Sequence, residues 1–103
     1  MPGAARTTDV TSKHSPCSPG KCSQGSGNVY INNLPAFRVG DSNTPHGVPH
    51  STPTGIVCIP HTTALRQGSP NVYVNNKPLG RRGDAFSCGI QVMGCSSNVI
   101  VNG

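Results

Sequence analysis

Tryptophan is absent from the 103 residues, and tyrosine and phenylalanine occur only twice each. So few rings exclude a large aromatic core. Acidic residues number three against eight lysines and arginines, which leaves little material for paired carboxylate catalysis. No apolar run approaches the roughly 20 residues of a membrane-spanning helix. The start, Met1 to Val10, lacks the charged-then-apolar order of a secretory leader. Charged side chains make up 11% of the chain, far below the usual quarter. The basic ones are scattered rather than gathered into a stripe with interleaved aromatics, so no nucleic-acid surface is expected despite a net charge of +5. The length holds one small domain, read as residues 1–103.

What the chain has in excess is glycine, 13 residues, and proline, 10. They interrupt any helical period. Only 33% of residues are hydrophobic, and small domains bury a poor fraction of their surface. A disulfide or metal staple is therefore expected. The five cysteines are Cys17, Cys22, Cys58, Cys88 and Cys95; the four histidines are His14, His46, His50 and His61. The cysteine number is odd and no leader points to an oxidising compartment, which favours metal over a disulfide framework.

Self-similarity is the main signal. Gly25-Ser-Gly-Asn-Val-Tyr-Ile-Asn-Asn33 matches Gly68-Ser-Pro-Asn-Val-Tyr-Val-Asn-Asn76, and Gly94 to Gly103 repeats the pattern with Val99-Ile100-Val101. Each copy has a β-prone centre between turn residues. The first two continue alike, through Pro35 to Arg38 and Asp41, and through Pro78 to Arg81 and Asp84. Strand, Asn-Asn turn and second strand predict a hairpin. Alternation sets Tyr30, Tyr73 and Ile100 on the face opposite their Val and Ile neighbours, and one of the two sets must fill the thin core. Arg6 and Asp9 keep the spacing of Arg38 and Asp41, so every acidic residue occupies one repeat position. That predicts a carboxylate that caps backbone N–H groups or pairs with the repeat arginine. The Pro-rich stretch from Thr44 to Leu65 is too long for a free loop and makes sense only if tied down inside.

Counting from the repeat aspartates finds His14 five after Asp9, His46 five after Asp41 and Cys88 four after Asp84. Counting back from the strands, His61 lies ten before Asn71 and Cys88 ten before Asn98. In a pseudo-three-fold body, such positions converge on one end. Three imidazoles and one thiolate suit a closed tetrahedral zinc site, which stabilises a fold and leaves no vacant position for catalysis. Alternatives remain. His50 could replace His46, Cys58 is a reserve ligand three residues before His61, and Cys17 and Cys22 could be ligands or a disulfide. A Cys–His nucleophilic pair lacks an orienting third group and an oxyanion hole. Neither an enzyme nor a small-molecule substrate is expected.

The combination Gly-Ser-x-Asn-Val-x-Val-Asn with Pro-x-x-Arg-x-Gly-Asp resembles the PAAR-repeat proteins. Pro35-Ala36-Phe37-Arg38 is the nearest copy of the Pro-Ala-Ala-Arg signature, Pro78-Leu79-Gly80-Arg81 is more divergent, and Met1 to Arg6 keeps an Ala-Ala-Arg. Pro45-His46-Gly47, Pro60-His61 and Cys88-Gly89 look like the short phage-type members. The resemblance implies an all-β cone of short hairpins with pseudo-three-fold symmetry. It implies a structural zinc near the apex held by His14, His46, His61 and Cys88. It further implies one copy seated on a trimeric β-helical spike of a contractile injection machine and transient contact with a target membrane. The location would be a virion tail tip or a secreted bacterial spike assembled in the cytoplasm. Because no toxin-like extension follows the last repeat strand, a bare tip is expected. The competing expectation is a small zinc-binding adaptor that carries cargo or binds an anionic surface.

Overall fold

In a computed structural model, which describes residues 2–101, both Asn-Asn pairs turn the chain back on itself. Asn32 and Asn33 have φ of 53° and 66°, and Asn75 and Asn76 repeat those values. Two successive positive φ angles mark the tight hairpin turn that matches strand twist, and asparagine tolerates them. The turns join β1 (Tyr30–Ile31) to β2 (Leu34–Pro35) and β5 (Tyr73–Val74) to β6 (Lys77–Pro78), both antiparallel. The described residues contain no helix, so the fold is all-β as expected. The expected turn at Asn102–Gly103, and Met1, lie outside the described residues.

The third repeat strand finds its partner at the other end of the chain. Gly3 bridges Ile100, the Ala4 N–H donates to the Val99 carbonyl, and the Val101 N–H donates to the Pro2 carbonyl, both at 2.9 Å. Gly3 thus takes the place of Pro35 and Pro78, which sit opposite Tyr30 and Tyr73. The Arg6–Asp9 vestige is therefore the return segment of the third unit, which residues 2–9 and 99–101 build together.

The three return segments join one another in a cycle. Arg6 bridges Ala36, Arg38 bridges Leu79, and Arg81 bridges Ala4. At the centre, Ala5 N–H donates to Gly80 O (2.9 Å), Gly80 N–H to Phe37 O (2.8 Å), and Phe37 N–H to Ala5 O (3.1 Å). Each backbone group is satisfied by a neighbour, as burial requires. Only one large side chain fits here. Phe37 fills the space, while a Cβ on Gly80 would lie 2.8 Å from the Leu65 side chain and 3.0 Å from the Phe37 carbonyl oxygen.

Two buried apolar clusters flank this ring. One combines Ile31, Val74 and Val101 with Ala4, Ala36 and Leu79. The other packs Phe37 and Phe86, with centroids 5.8 Å apart, with Leu65, Ile90 and Val92, and Cys88 lies against it. The predicted alternation holds on one side of each residue: Tyr30, Tyr73 and Ile100 are exposed by 57%, 57% and 50% and the following Ile31, Val74 and Val101 are buried, whereas the preceding Val29 and Val99 stay exposed by 36% and 38%.

Each repeat aspartate is buried and does both things expected of it. The Asp9 carboxylate accepts from the Arg6 backbone N–H (2.8 Å), from Nε (3.1 Å) and from Nη2 (2.8 Å). Asp41 with Arg38 and Asp84 with Arg81 repeat this arrangement. Paired donors on one carboxylate make strong, directional contacts. These side-chain bonds with the aspartates hold all three arginines above their ordinary pKa.

One stretch takes a form that its sequence hid, and one expectation needs correction. The stretch from Thr44 to Leu65 is mostly a long hairpin, β3 (His46–Thr52) paired with β4 (Gly55–His61). Its prolines hid it, yet a two-stranded ribbon has an open edge on each strand where a missing N–H does no harm. The stretch is indeed tied, but by a disulfide between Cys17 and Cys58. The expectation of metal rather than a disulfide framework therefore meets one disulfide, which takes up the reserve ligand Cys58 and pairs Cys17 with a residue other than Cys22. Neither has a repeat equivalent, so repeat spacing could not pair them.

One backbone position sets a prediction. Gly40 and Gly83 adopt φ of +93° and +92°, and the equivalent residue of the third unit is Thr8, at +77°. A β-branched residue is strained there, and the Thr8 side chain is exposed. Thr8→Gly is expected to stabilise the protein by about 1 kcal/mol, read as a rise of roughly 4–8 °C in Tm. An unchanged or lower Tm would count against strain at this turn.

Candidate metal centre

The hairpin register builds half of the site. His46 opens β3, His61 closes β4, and they stand directly opposite each other. Their Nε2 atoms lie 2.7 Å apart. His14 comes from the loop after the Thr11–Val92 bridge, and its ring stacks on His46 with centroids 5.2 Å apart. Cys88 sits in the turn closed by the Gly89 N–H donating to the Phe86 carbonyl (2.9 Å), where Gly89 takes φ of +96°. Its Sγ is 3.7 Å from His46 Nε2.

The structure thus brings together His14, His46, His61 and Cys88, with one donor atom from each lying within 4.8 Å of all the others. Zinc bonds of about 2.0–2.1 Å to nitrogen and 2.3 Å to sulfur place tetrahedral donors roughly 3.3–3.7 Å apart, so the residues suit one small ion. Two local observations agree. His14 Nε2 is buried with no hydrogen-bond partner. His46 Nδ1 lies 3.3 Å from the Thr44 carbonyl, and donating there leaves the Nε2 lone pair free. Burial, and then the neighbouring rings of His46 and His14, push His61 below its ordinary pKa, which favours the neutral, ligating form.

The reserve candidates lie elsewhere. His50 is exposed, four residues along β3 from His46, which is about 13 Å at strand rise. Cys58 and Cys17 are consumed by the disulfide. Cys22 is a free thiol buried in the core, where burial pushes its pKa up to about 12, and Cys95 is free and partly buried.

Two supporting residues escaped the sequence reading. Buried Asn43 clasps Thr63: its Nδ2 donates to Thr63 Oγ1 (3.0 Å) and its Oδ1 accepts from the Thr63 N–H (3.0 Å). Thr63 Oγ1 also lies 3.2 Å from Cys88 Sγ; a metal-bound thiolate there can only accept, so the hydroxyl would be its donor. Nothing in the spacing of a lone Thr and a lone Asn marks this.

A family model, the PAAR motif, matches residues 14–94, a span that contains all four donors. The chain belongs to the PAAR motif family. No curated protein matches it. The PAAR family is structural rather than enzymatic and is associated with the spike tips of type VI secretion and related machines.

The Thr63 contact is testable. Thr63→Val is expected to weaken metal binding roughly tenfold, at the low end of losses caused by removing a contact behind a ligand. Thr63→Ser should retain affinity. Competition titration against a chromogenic chelator measures both, and equal affinities for the Val and Ser variants would remove the contact from the account.

Proposed function

We propose that this protein is the tip of the central spike of a contractile injection machine, seated as one copy on the blunt end of a trimeric β-helical spike. One observation carries the reading beyond family membership. The exposed side chains Tyr30, Tyr73 and Ile100 hold equivalent places on three hairpins whose return segments are joined in a cycle. Three similar apolar faces on one chain suit three identical subunits, so a single copy can cap a three-fold end. The same cycle supports the pseudo-three-fold, conical arrangement that the resemblance implies.

In this reading His14, His46, His61 and Cys88 hold zinc. The ion supplies a cross-link over most of the chain. Four protein donors leave no position for substrate or water, so the centre holds structure and catalyses nothing. Its place is a virion tail tip or a secreted bacterial spike, meeting the target membrane briefly as the machine fires.

Two measurements test the proposal. Mixed with a matching trimeric β-helical spike, the protein should bind at one copy per three spike chains by native mass. Tyr30→Glu with Tyr73→Glu should abolish binding without lowering Tm. Any other stoichiometry, or binding indifferent to those substitutions, would overturn the assignment. Separately, a strong chelator is expected to lower Tm by more than about 10 °C, given the energies of structural zinc. His61→Ala should fall similarly and lose its response to chelator. Elemental analysis identifies the ion, and unchanged melting would remove the metal from the mechanism.

A further inference from the structure

The Cys17–Cys58 disulfide touches the segments that carry three of the four donors. Cys17 follows His14 by three residues, and its N–H donates to the His14 carbonyl at 2.7 Å. Cys58 precedes His61 by three residues in β4. Gly47, next to His46, packs against both: a Cβ there would lie 2.9 Å from Cys17 Cβ and 2.7 Å from Cys58 Cβ. The fourth donor, Cys88, is held separately, by Thr63.

His14 depends on this arrangement most. With no hydrogen-bond partner at Nε2, its ring relies on where the backbone puts it, and Cys17 anchors that backbone. Without the bond, the 14–17 loop would have to be ordered against the β3–β4 ribbon when the ion binds. That ordering lowers affinity and speeds release.

We propose that the Cys17–Cys58 disulfide is a redox-sensitive positioning cross-link for the metal centre, holding the His14 segment against the ribbon that carries His46 and His61 when closed and freeing it when opened. The inference rests on the metal reading above. Opening consumes two electrons and two protons. A dithiol reductant attacks one sulfur to form a mixed disulfide, and its second thiol then displaces the protein sulfur. Cys17 and Cys58 are left as thiols and the reductant as its own disulfide. Closing is the reverse exchange with a disulfide oxidant. Cys58 lies exposed on its strand, and a cleft lined by Pro16, Cys17, Pro45, His46, Cys58 and Pro60 adjoins the bond.

The test loads the whole protein with zinc and follows release to a chromogenic chelator, at a temperature well below melting. Three forms are compared: oxidised protein, protein reduced with a water-soluble phosphine, and the Cys17→Ser/Cys58→Ser double variant. The phosphine ends as its oxide, taking oxygen from water, and avoids the metal chelation of a dithiol. Reduced and double-variant proteins are expected to release zinc about tenfold faster or more, on the scale of losses from disturbed ligand support. Reoxidation of the reduced wild type should restore slow release. A cobalt-substituted sample should keep a single-thiolate charge-transfer band in both redox states. Equal release rates before and after reduction would overturn the proposal, as would a second thiolate band, which would mean that a freed cysteine had displaced a donor. Failure of the oxidised protein to bind metal at all would instead remove the metal reading beneath it.

Discussion

Three backbone hydrogen bonds exchanged among Ala5, Phe37 and Gly80 are the constraint on which the rest of the structure depends. Each strand of the repeat hairpins β1–β2 and β5–β6 is two residues long, too short to stand alone in water. The cycle makes every return segment both donor and acceptor, so three weak units become one. Each bond contributes only about 0.5–1.5 kcal/mol net. Its larger effect is to leave no polar backbone group orphaned between the two apolar clusters. The composition follows from this geometry. One large ring fills the centre and the two equivalent positions are Ala5 and Gly80, because the cycle has room for only one Phe37. Three units need three carboxylates, and the chain has three acidic residues, all buried against their own arginines.

At the candidate metal centre the largest alteration of the repeat is one inserted ribbon, and that insertion accounts for the donor number. Three equivalent units offer three donors, whereas a closed tetrahedral site takes four. In the unit after Asp84, Cys88 serves both as the residue that follows the aspartate and as the one ten before the next strand. In the unit after Asp41, the β3–β4 ribbon is inserted at that point and splits the position in two, His46 on the way out and His61 on the way back. Antiparallel pairing then sets the two directly opposite, so opening one unit delivers the fourth donor without moving the other three.

The parts legible in the sequence were those that repeat or are strictly local. The Asn-Asn turns, the Arg–Asp pairs, the inward and outward faces of the short strands, and the four gathered residues each follow from a spacing. The parts that were hidden occur once and join distant segments. Pro49 and Pro60 disguised β3 and β4, since a proline argues against a strand until the strand is known to have a free edge. Cys17 and Cys58 are 41 residues apart and share no repeat position. Asn43 and Thr63 meet only because β3 and β4 fold their flanks together. The closure of the third hairpin by Gly3 and Ile100 was half visible: the Arg6–Asp9 spacing was noticed, but not that it completed the strand at the opposite terminus.

The two regions differ in how faithfully they keep the repeat, and the proposed role uses that difference. Where Tyr30, Tyr73 and Ile100 lie, the repeat is kept closely in backbone hydrogen bonds and in exposure. A surface meeting three identical subunits gains from this, because any mismatch would favour one partner and tilt the body. At the donors the repeat is broken by a single ribbon and a single disulfide, each tying segments that no repeat contact holds. Three imidazoles and one thiolate around a single ion would have no use for three-fold symmetry. In the proposed role, the inserted ribbon would let the same small body be symmetric at the docking face and cross-linked at the donors.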